Sequence, residues 1–281
     1  MKFYIVDAFT SEPFGGNPAG VVLLEHAAFP SDELMQQVAA ELRYSETAFV
    51  RCDDGSEFTA RYFTPCGEVD LCGHATIASF GVLLHEGIVS EGEKCLIHTL
   101  AGDLEVWPGT QVMMQMAPPT LLPTAVDAER LHRIMGGDIQ QWPSLPIEII
   151  STGLPDIMMP VASLDALHAL QPDTDALASL SRELGVTGVH AFALSDDGYT
   201  AHTRNFAPLY DIPEESATGT ASGALAHYLQ RCELITAPCT CRFVQGEAMN
   251  RPSVIVAHLL ADGSIMVGGN SRILAQGTLL L

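Results

Sequence analysis

Two periods alternate along this chain. Strand-like runs, either alternating or continuously apolar, predict β-structure over 2–8, 19–25, 47–52, 57–62, 95–100, 103–107 and 111–116. Among them, Ser31 to Leu42 carries apolar Leu34, Met35, Val38, Ala39 and Leu42 at helical spacing, with Ser31 placed as an N-cap. Pro118-Pro119 then closes the series. Helix-like stretches follow at 163–170 and 174–184, with strands near 189–195, 199–206, 241–245, 253–260 and 264–268. Two segments break the amphipathic rule. Thr76 to Leu84 and Ala217 to Leu229 are apolar or small nearly all the way round, the pattern of a helix buried on every side.

The second series copies the first. Arg61-Tyr62-Phe63-Thr64-Pro65 returns as Arg204-Asn205-Phe206-Ala207-Pro208, an R-x-F-x-P pattern in each half. Gly73-His74-Ala75-Thr76-Ile77-Ala78 returns as Gly219-Thr220-Ala221-Ser222-Gly223-Ala224, both reading G-x-A-[TS]-x-A. Glu41-Leu42 with Ala48-Phe49 matches Glu183-Leu184 with Ala191-Phe192, and Gly16-Asn17-Pro18 is echoed by Gly153-Leu154-Pro155. The shifts are 137, 142, 143 and 146 residues in chain order, each near half the chain, which marks a tandem duplication. Many strands and one all-round apolar helix per half predict an α+β fold of two pseudo-symmetric lobes. Each lobe is a curled sheet or open barrel around a central helix. The predicted bounds are 1–117 and 118–270, with 271–281 a candidate strand returning to the first lobe, and the active site is expected between the lobes.

Composition narrows the chemistry. A net charge of -21 on 281 residues excludes nucleic acid as an expected partner, because phosphate binding needs clustered Lys and Arg. No apolar stretch approaches the length of a membrane span, and no secretory-type segment precedes the first strand run. Seven cysteines without regular spacing suit a reducing cytoplasm, and Cys239 and Cys241 lack the second pair that a zinc site needs, so no metal is expected.

Gly73 and Gly219 open the two buried helices. Helix N-termini present unpaired N–H groups and partial positive charge, so these ends are candidate sites for a substrate carboxylate, with His74 and Thr220 beside them. Glu46, in Ser45-Glu46-Thr47, lies where the first amphipathic helix gives way to a strand, and its counterpart near Val189 or His190 is no carboxylate. His74 sits in a first helical turn, where the dipole disfavours a cation. Glu215 precedes the second buried helix, where a carboxylate complements the dipole. Cys72 is also at a helix start, but a two-thiol racemase needs a mate, and Glu215-Ser216-Ala217-Thr218 holds none. Phosphate-loop, nucleophile-elbow and H-E-x-x-H motifs are absent from the sequence, and Gly15-Gly16-Asn17-Pro18-Ala19-Gly20 lacks dinucleotide spacing, so no cofactor is expected.

Several of these segments resemble the phenazine-biosynthesis isomerase (PhzF-like) family. They are Gly16 to Val22, Ser45-Glu46-Thr47-Ala48-Phe49, Arg61 to Pro65, Glu68 to Thr76 and Arg204 through Ala221, in the family's order along the whole chain. The resemblance implies a diaminopimelate-epimerase-like fold, a homodimer and cofactor-free chemistry on a small carboxylate. The family's phenazine enzyme acts on trans-2,3-dihydro-3-hydroxyanthranilate, moving a proton and a double bond. By motif, Glu46 becomes the acid/base, with Ser45 beside it, His74 across the cleft, and Gly73, Gly219 and Thr220 holding the carboxylate. Where the family reads E-D-P-A-T-G-S, this chain has Glu214-Glu215-Ser216-Ala217-Thr218-Gly219-Thr220, so Glu215 stands for Asp and Thr220 for Ser. The extra methylene moves the second carboxylate by more than roughly 1 Å, enough to change proton-transfer geometry. The expected activity is an isomerase working by Glu acid/base catalysis. A same-fold racemase or epimerase, and a non-catalytic carboxylate-binding protein, are the alternatives.

Overall fold

In the computed structural model of the chain, which describes residues 1–24, 28–136 and 144–281, the first apolar runs become strands interrupted by two helices. They are β1 (Lys2–Ala8), β2 (Asn17–Leu23), α1 (Asp32–Leu42), β3 (Thr47–Asp54), β4 (Glu57–Phe63), the short β5 (Glu68–Val69), α2 (Gly73–His85), β6 (Cys95–Thr99), β7 (Gly102–Trp107) and β8 (Val112–Gln115). The predicted strand 19–25 starts at Asn17 and ends at Leu23, and residue 25 lies outside the described residues.

The following elements are β9 (Thr120–Leu122), α3 (Ala128–Met135), β10 (Glu148–Ser151), β11 (Pro155–Pro160), α4 (Leu164–His168), α5 (Thr174–Leu184), β12 (Gly188–Leu194), β13 (Ala201–Ala207), β14 (Ile212–Glu215), α6 (Gly219–Arg231), β15 (Cys239–Gln245), β16 (Ser253–Leu259) and β17 (Ile265–Gly269). The last strand is β18 (Ser271–Thr278). The chain forms two units, Met1–Gln115 with Gly268–Leu281, and Met116–Val267. The fold is α+β, rich in strands and poor in helix. None of the described helices is long and apolar enough to cross a membrane.

In unit 1 the amphipathic α1 connects β2 to β3, which pair in parallel with Val21 opposite Ala48. Its Met35, Val38 and Ala39 pack on Val22, Phe49 and Phe63, the outer face of the sheet. The apolar α2 connects β4 to β6, again a parallel pair, and packs on β1, β2, β3, β8 and β18. Burial of nearly its whole circumference explains its lack of a polar face, and Phe80 meets Phe58 edge-on at 5.5 Å. β18 joins unit 1 by antiparallel pairing with β1. It can do so because residue 81 is glycine: a Cβ there would sit 2.0 Å from Ser271 Oγ and 2.9 Å from Ser271 Cβ.

Unit 2 repeats both crossovers. β11 and β12 pair in parallel with Met159 opposite Ala191, joined through α4 and α5, and β13 and β15 pair in parallel across α6. α3, α4 and α5 cover one face through Leu131, Met135, Leu167, Leu177 and Leu180, against Ile157, Met159, Val189, Ala191 and Phe206. α6 packs against β10, β11 and β16. The registers Val21–Ala48 and Met159–Ala191 carry the duplication from sequence into strand pairing. They place Glu46 at the level of Val189.

Candidate active site

The outer helices and the two buried ones start differently. Ser31, Asp127, Ser163 and Asp173 each cap their helix with a side-chain oxygen that accepts an N–H from the first turn. α2 and α6 have no such side-chain cap. Their N-cap residues, Cys72 and Thr218, share an extended backbone (φ -139°, ψ 113° and φ -128°, ψ 102°). In both, the fourth residue of the repeat returns a hydroxyl to the cap carbonyl: Thr76 Oγ1 donates to Cys72 O at 2.8 Å, and Ser222 Oγ to Thr218 O at 2.8 Å. This explains the [TS] in the repeated motif. With its proton committed to Cys72, Thr76 Oγ1 accepts from the Tyr62 hydroxyl at 2.7 Å.

Around the start of α2, unit 1 gathers Ser45, Glu46, Cys72, Gly73 and His74. Ser45 and Glu46 follow α1, which ends at the left-handed Arg43, and the Glu46 carbonyl accepts Gly20 N–H at 3.2 Å. That bond ties the Glu46 backbone to β2. His74 is buried, with Nε2 3.2 Å from Glu46 Oε2 and 3.3 Å from Ser45 Oγ. Cys72 Sγ lies against the same ring, 3.4 Å from Nδ1 and 3.8 Å from Nε2. Burial pushes the His74 pKa down from its ordinary value, and the Glu46 carboxylate offsets part of that, so the ring is neutral at pH 7. Glu46 Oε2 is itself buried and accepts no hydrogen bond of good geometry, even though His74 Nε2 is close. A buried carboxylate oxygen kept without a donor is costly, and such atoms mark positions awaiting a ligand or a proton. The motif reading set His74 across a cleft from Glu46. In the structure the two side chains touch within unit 1, because β3 and α2 pack on one another.

Unit 2 gathers Glu215, Thr218, Gly219 and Thr220 at the start of α6. The Thr218 hydroxyl donates to Glu215 Oε2, so the N-cap residue holds this carboxylate. Gln245, fully buried at the end of β15, fastens this turn. Its Nε2 donates to Glu215 O at 2.8 Å and Thr218 Oγ1 at 3.1 Å, and its Oε1 accepts Thr218 N–H at 3.2 Å. Sequence reasoning passed over Gln245, although a polar residue ending the strand run before Gly246 was a usable signal. One residue before Glu215, Glu214 takes a bidentate grip from Arg204 at 2.9 and 2.8 Å. The R-x-F-x-P motif is therefore structural: Arg61 grips Glu68 in the same way at 2.7 and 2.6 Å.

With this geometry in hand, similarity to known proteins is decisive. The model of the family described as phenazine biosynthesis-like protein matches residues 6–277. The chain belongs to this family. Among its PhzF-like relatives, an uncharacterized isomerase of Deinococcus radiodurans is 37% identical over 294 residues, covering 98% of this chain and 94% of the relative. The trans-2,3-dihydro-3-hydroxyanthranilate isomerase of Pseudomonas fluorescens is 31% identical over 297 residues, covering 100% and 99%. Among solved structures, the PhzF-family phenazine biosynthesis protein of Bacillus anthracis superimposes with a TM-score of 0.89 at 27% identity, covering 100% of this chain and 99% of that one. The chain stands among the PhzF-like isomerases over its full described fold.

Proposed function

We propose that the protein is a cofactor-independent isomerase that moves a proton within a small carboxylate-bearing substrate, with Glu46 taking the proton from one carbon and returning it to another. The observation that carries this reading is the buried Glu46 Oε2, without a hydrogen-bond donor, beside a neutral imidazole and a helix start whose N-cap residue Cys72 supplies no side-chain cap. A carboxylate in this position serves as base and, once protonated, as acid. The neutral His74 and the Ser45 hydroxyl are within reach to orient it. The start of α2 offers backbone N–H groups and the positive end of the helix dipole to the substrate carboxylate and to charge that develops on it. The α6 start, with Gly219 and Thr220, is the second anion-binding end, and Glu215 is the second carboxylate of the reaction. Removal and return of one proton balance within one molecule, so the reaction needs no oxidant, reductant or group donor.

The first substrate to test is trans-2,3-dihydro-3-hydroxyanthranilate, for which the Pseudomonas relative is named. Glu46→Gln keeps the shape and removes the base, and is expected to lower kcat by about 100-fold or more while leaving the fold intact by circular dichroism. Turnover within a fewfold of wild type sinks the assignment.

A further inference from the structure

Glu46, Cys72 and His74 offer an oxygen, a sulfur and a nitrogen, one atom from each residue, all within 4.8 Å of one another. From these three donors the geometry points to a site for a thiophilic divalent cation, Zn2+ in chemical class, that blocks the same carboxylate proposed to move the proton. A tetrahedral zinc ion with ordinary Zn–S, Zn–N and Zn–O bond lengths sets its ligand atoms roughly 3.3–3.6 Å apart. The chain holds His74 Nε2 3.2 Å from Glu46 Oε2, close to that spacing, while Cys72 Sγ lies 3.8 Å from Nε2 and 3.4 Å from Nδ1, so joint ligation requires the Cys72 side chain to turn towards the Nε2 lone pair.

The donor set suits the ion. Thiolate and imidazole select Zn2+ over Mg2+ or Ca2+, which prefer oxygen shells. Glu46 Oε2, buried and without a hydrogen-bond donor, is the carboxylate oxygen that faces His74 Nε2 at 3.2 Å. Three protein ligands leave a fourth position for water or a substrate oxygen, as in open zinc sites. On binding, the Cys72 thiol gives its proton to solvent, and no other bond is made or broken. The ligands are spread across the chain, Glu46 before β3 and Cys72 and His74 at the start of α2. For that reason the spacing rules that dismissed Cys239 and Cys241 could not reveal them.

Binding is tested with Co2+ as a coloured stand-in for Zn2+, added to the metal-free, reduced protein. The expected result is one saturating site with a thiolate-to-cobalt charge-transfer band, displaced by Zn2+. The band disappears in Cys72→Ser and Cys72→Ala, each lowering affinity by about 100-fold or more. It persists in Cys66→Ser, which alters an exposed thiol that is not one of the three donors. A band that survives both Cys72 changes, a band lost with Cys66, or the absence of any saturating band overturns the site. The activity assay is a separate arm: micromolar-range Zn2+ inhibits isomerisation and a chelator restores it. A bound cation with undiminished turnover upholds the metal site and refutes Glu46 as the proton carrier.

Discussion

Replacing Arg204 with alanine is expected to destabilise the protein far more than the same change at Arg61, its copy in the other repeat. Both arginines hold a glutamate through two parallel hydrogen bonds and lie over the phenylalanine two residues on, Arg204 4.8 Å from the Phe206 ring centre and Arg61 5.3 Å from that of Phe63. Burial separates them. The Arg204 and Glu214 side chains are 9% and 16% exposed, whereas Arg61 and Glu68 are each 22% exposed and the third partner, Asp32, is 71% exposed. Arg204 also spends its Nη1 on three backbone carbonyls, of Leu167, His168 and Leu170 at 3.0, 3.3 and 2.9 Å, closing the end of α4. Its removal strands a mostly buried carboxylate and those carbonyls together, a loss of about 3–5 kcal/mol. At Arg61, water reaches what is left behind, and the Asp32 contact contributes little, so the loss is about 1–2 kcal/mol. Arg204→Lys keeps the charge but not the fork that serves five acceptors, and recovers less than half of the deficit. Equilibrium urea unfolding at constant m-value reads these differences directly. Equal losses at the two arginines, or a larger one at Arg61, would refute the claim that burial decides.

Asp156 supplies a pH test. Burial pushes its carboxyl up to about 7, Asn205 offsets a part, and neither oxygen has a hydrogen bond of good geometry. Because the fold favours the protonated acid, stability is full below the unfolded value of about 4 and is lost as pH rises to about 7. Asp156→Asn removes this titration, so its stability relative to wild type should climb between pH 4 and 7 and then level off. Melting temperatures across that range check it, and a flat difference contradicts it. His190, pushed down to about 3 by burial, loses stability as pH falls from about 6.5, and because Asn205 links it to Asp156 the comparison is read on the rise up to pH 7. Gln245→Leu should loosen the turn from Glu215 to Thr218 and lower kcat/KM by roughly 10–100-fold, mostly through KM. Unchanged steady-state kinetics in a folded variant would dismiss Gln245 as a positioning residue.

Much of the fold was legible because burial is written into periodicity. Thr76 to Leu84 and Ala217 to Leu229 had no polar face, and they are the two helices buried at the centres of their units. Ser31 was read as a cap, and its side chain accepts Leu34 N–H. Short strands escaped: β5 has two residues, β9 three, and β11 reads Pro-Asp-Ile-Met-Met-Pro, with prolines at both ends and a buried aspartate. α3 was missed although Asp127 caps it, because it has only eight residues, too few for its helical spacing to stand out. At the candidate site, motif order named Ser45, Glu46, Gly73 and His74. It could not give their mutual distances, which depend on how β3 packs on α2. That is why the contact of His74 with Glu46, and the third donor at Cys72, emerged only in three dimensions.

The central claim is that Glu46 carries a proton between two carbons of one substrate. The most direct measurement incubates wild type and Glu46→Gln in D2O with trans-2,3-dihydro-3-hydroxyanthranilate and related small unsaturated carboxylates, with products read by mass and NMR. The account predicts that wild type yields an isomer carrying a single deuterium at the new C–H position, because the protonated carboxyl of the partly exposed Glu46 exchanges with D2O before it returns its hydrogen, and that the variant yields essentially none. A product of altered composition, or an equal yield of deuterated isomer from Glu46→Gln, would contradict it.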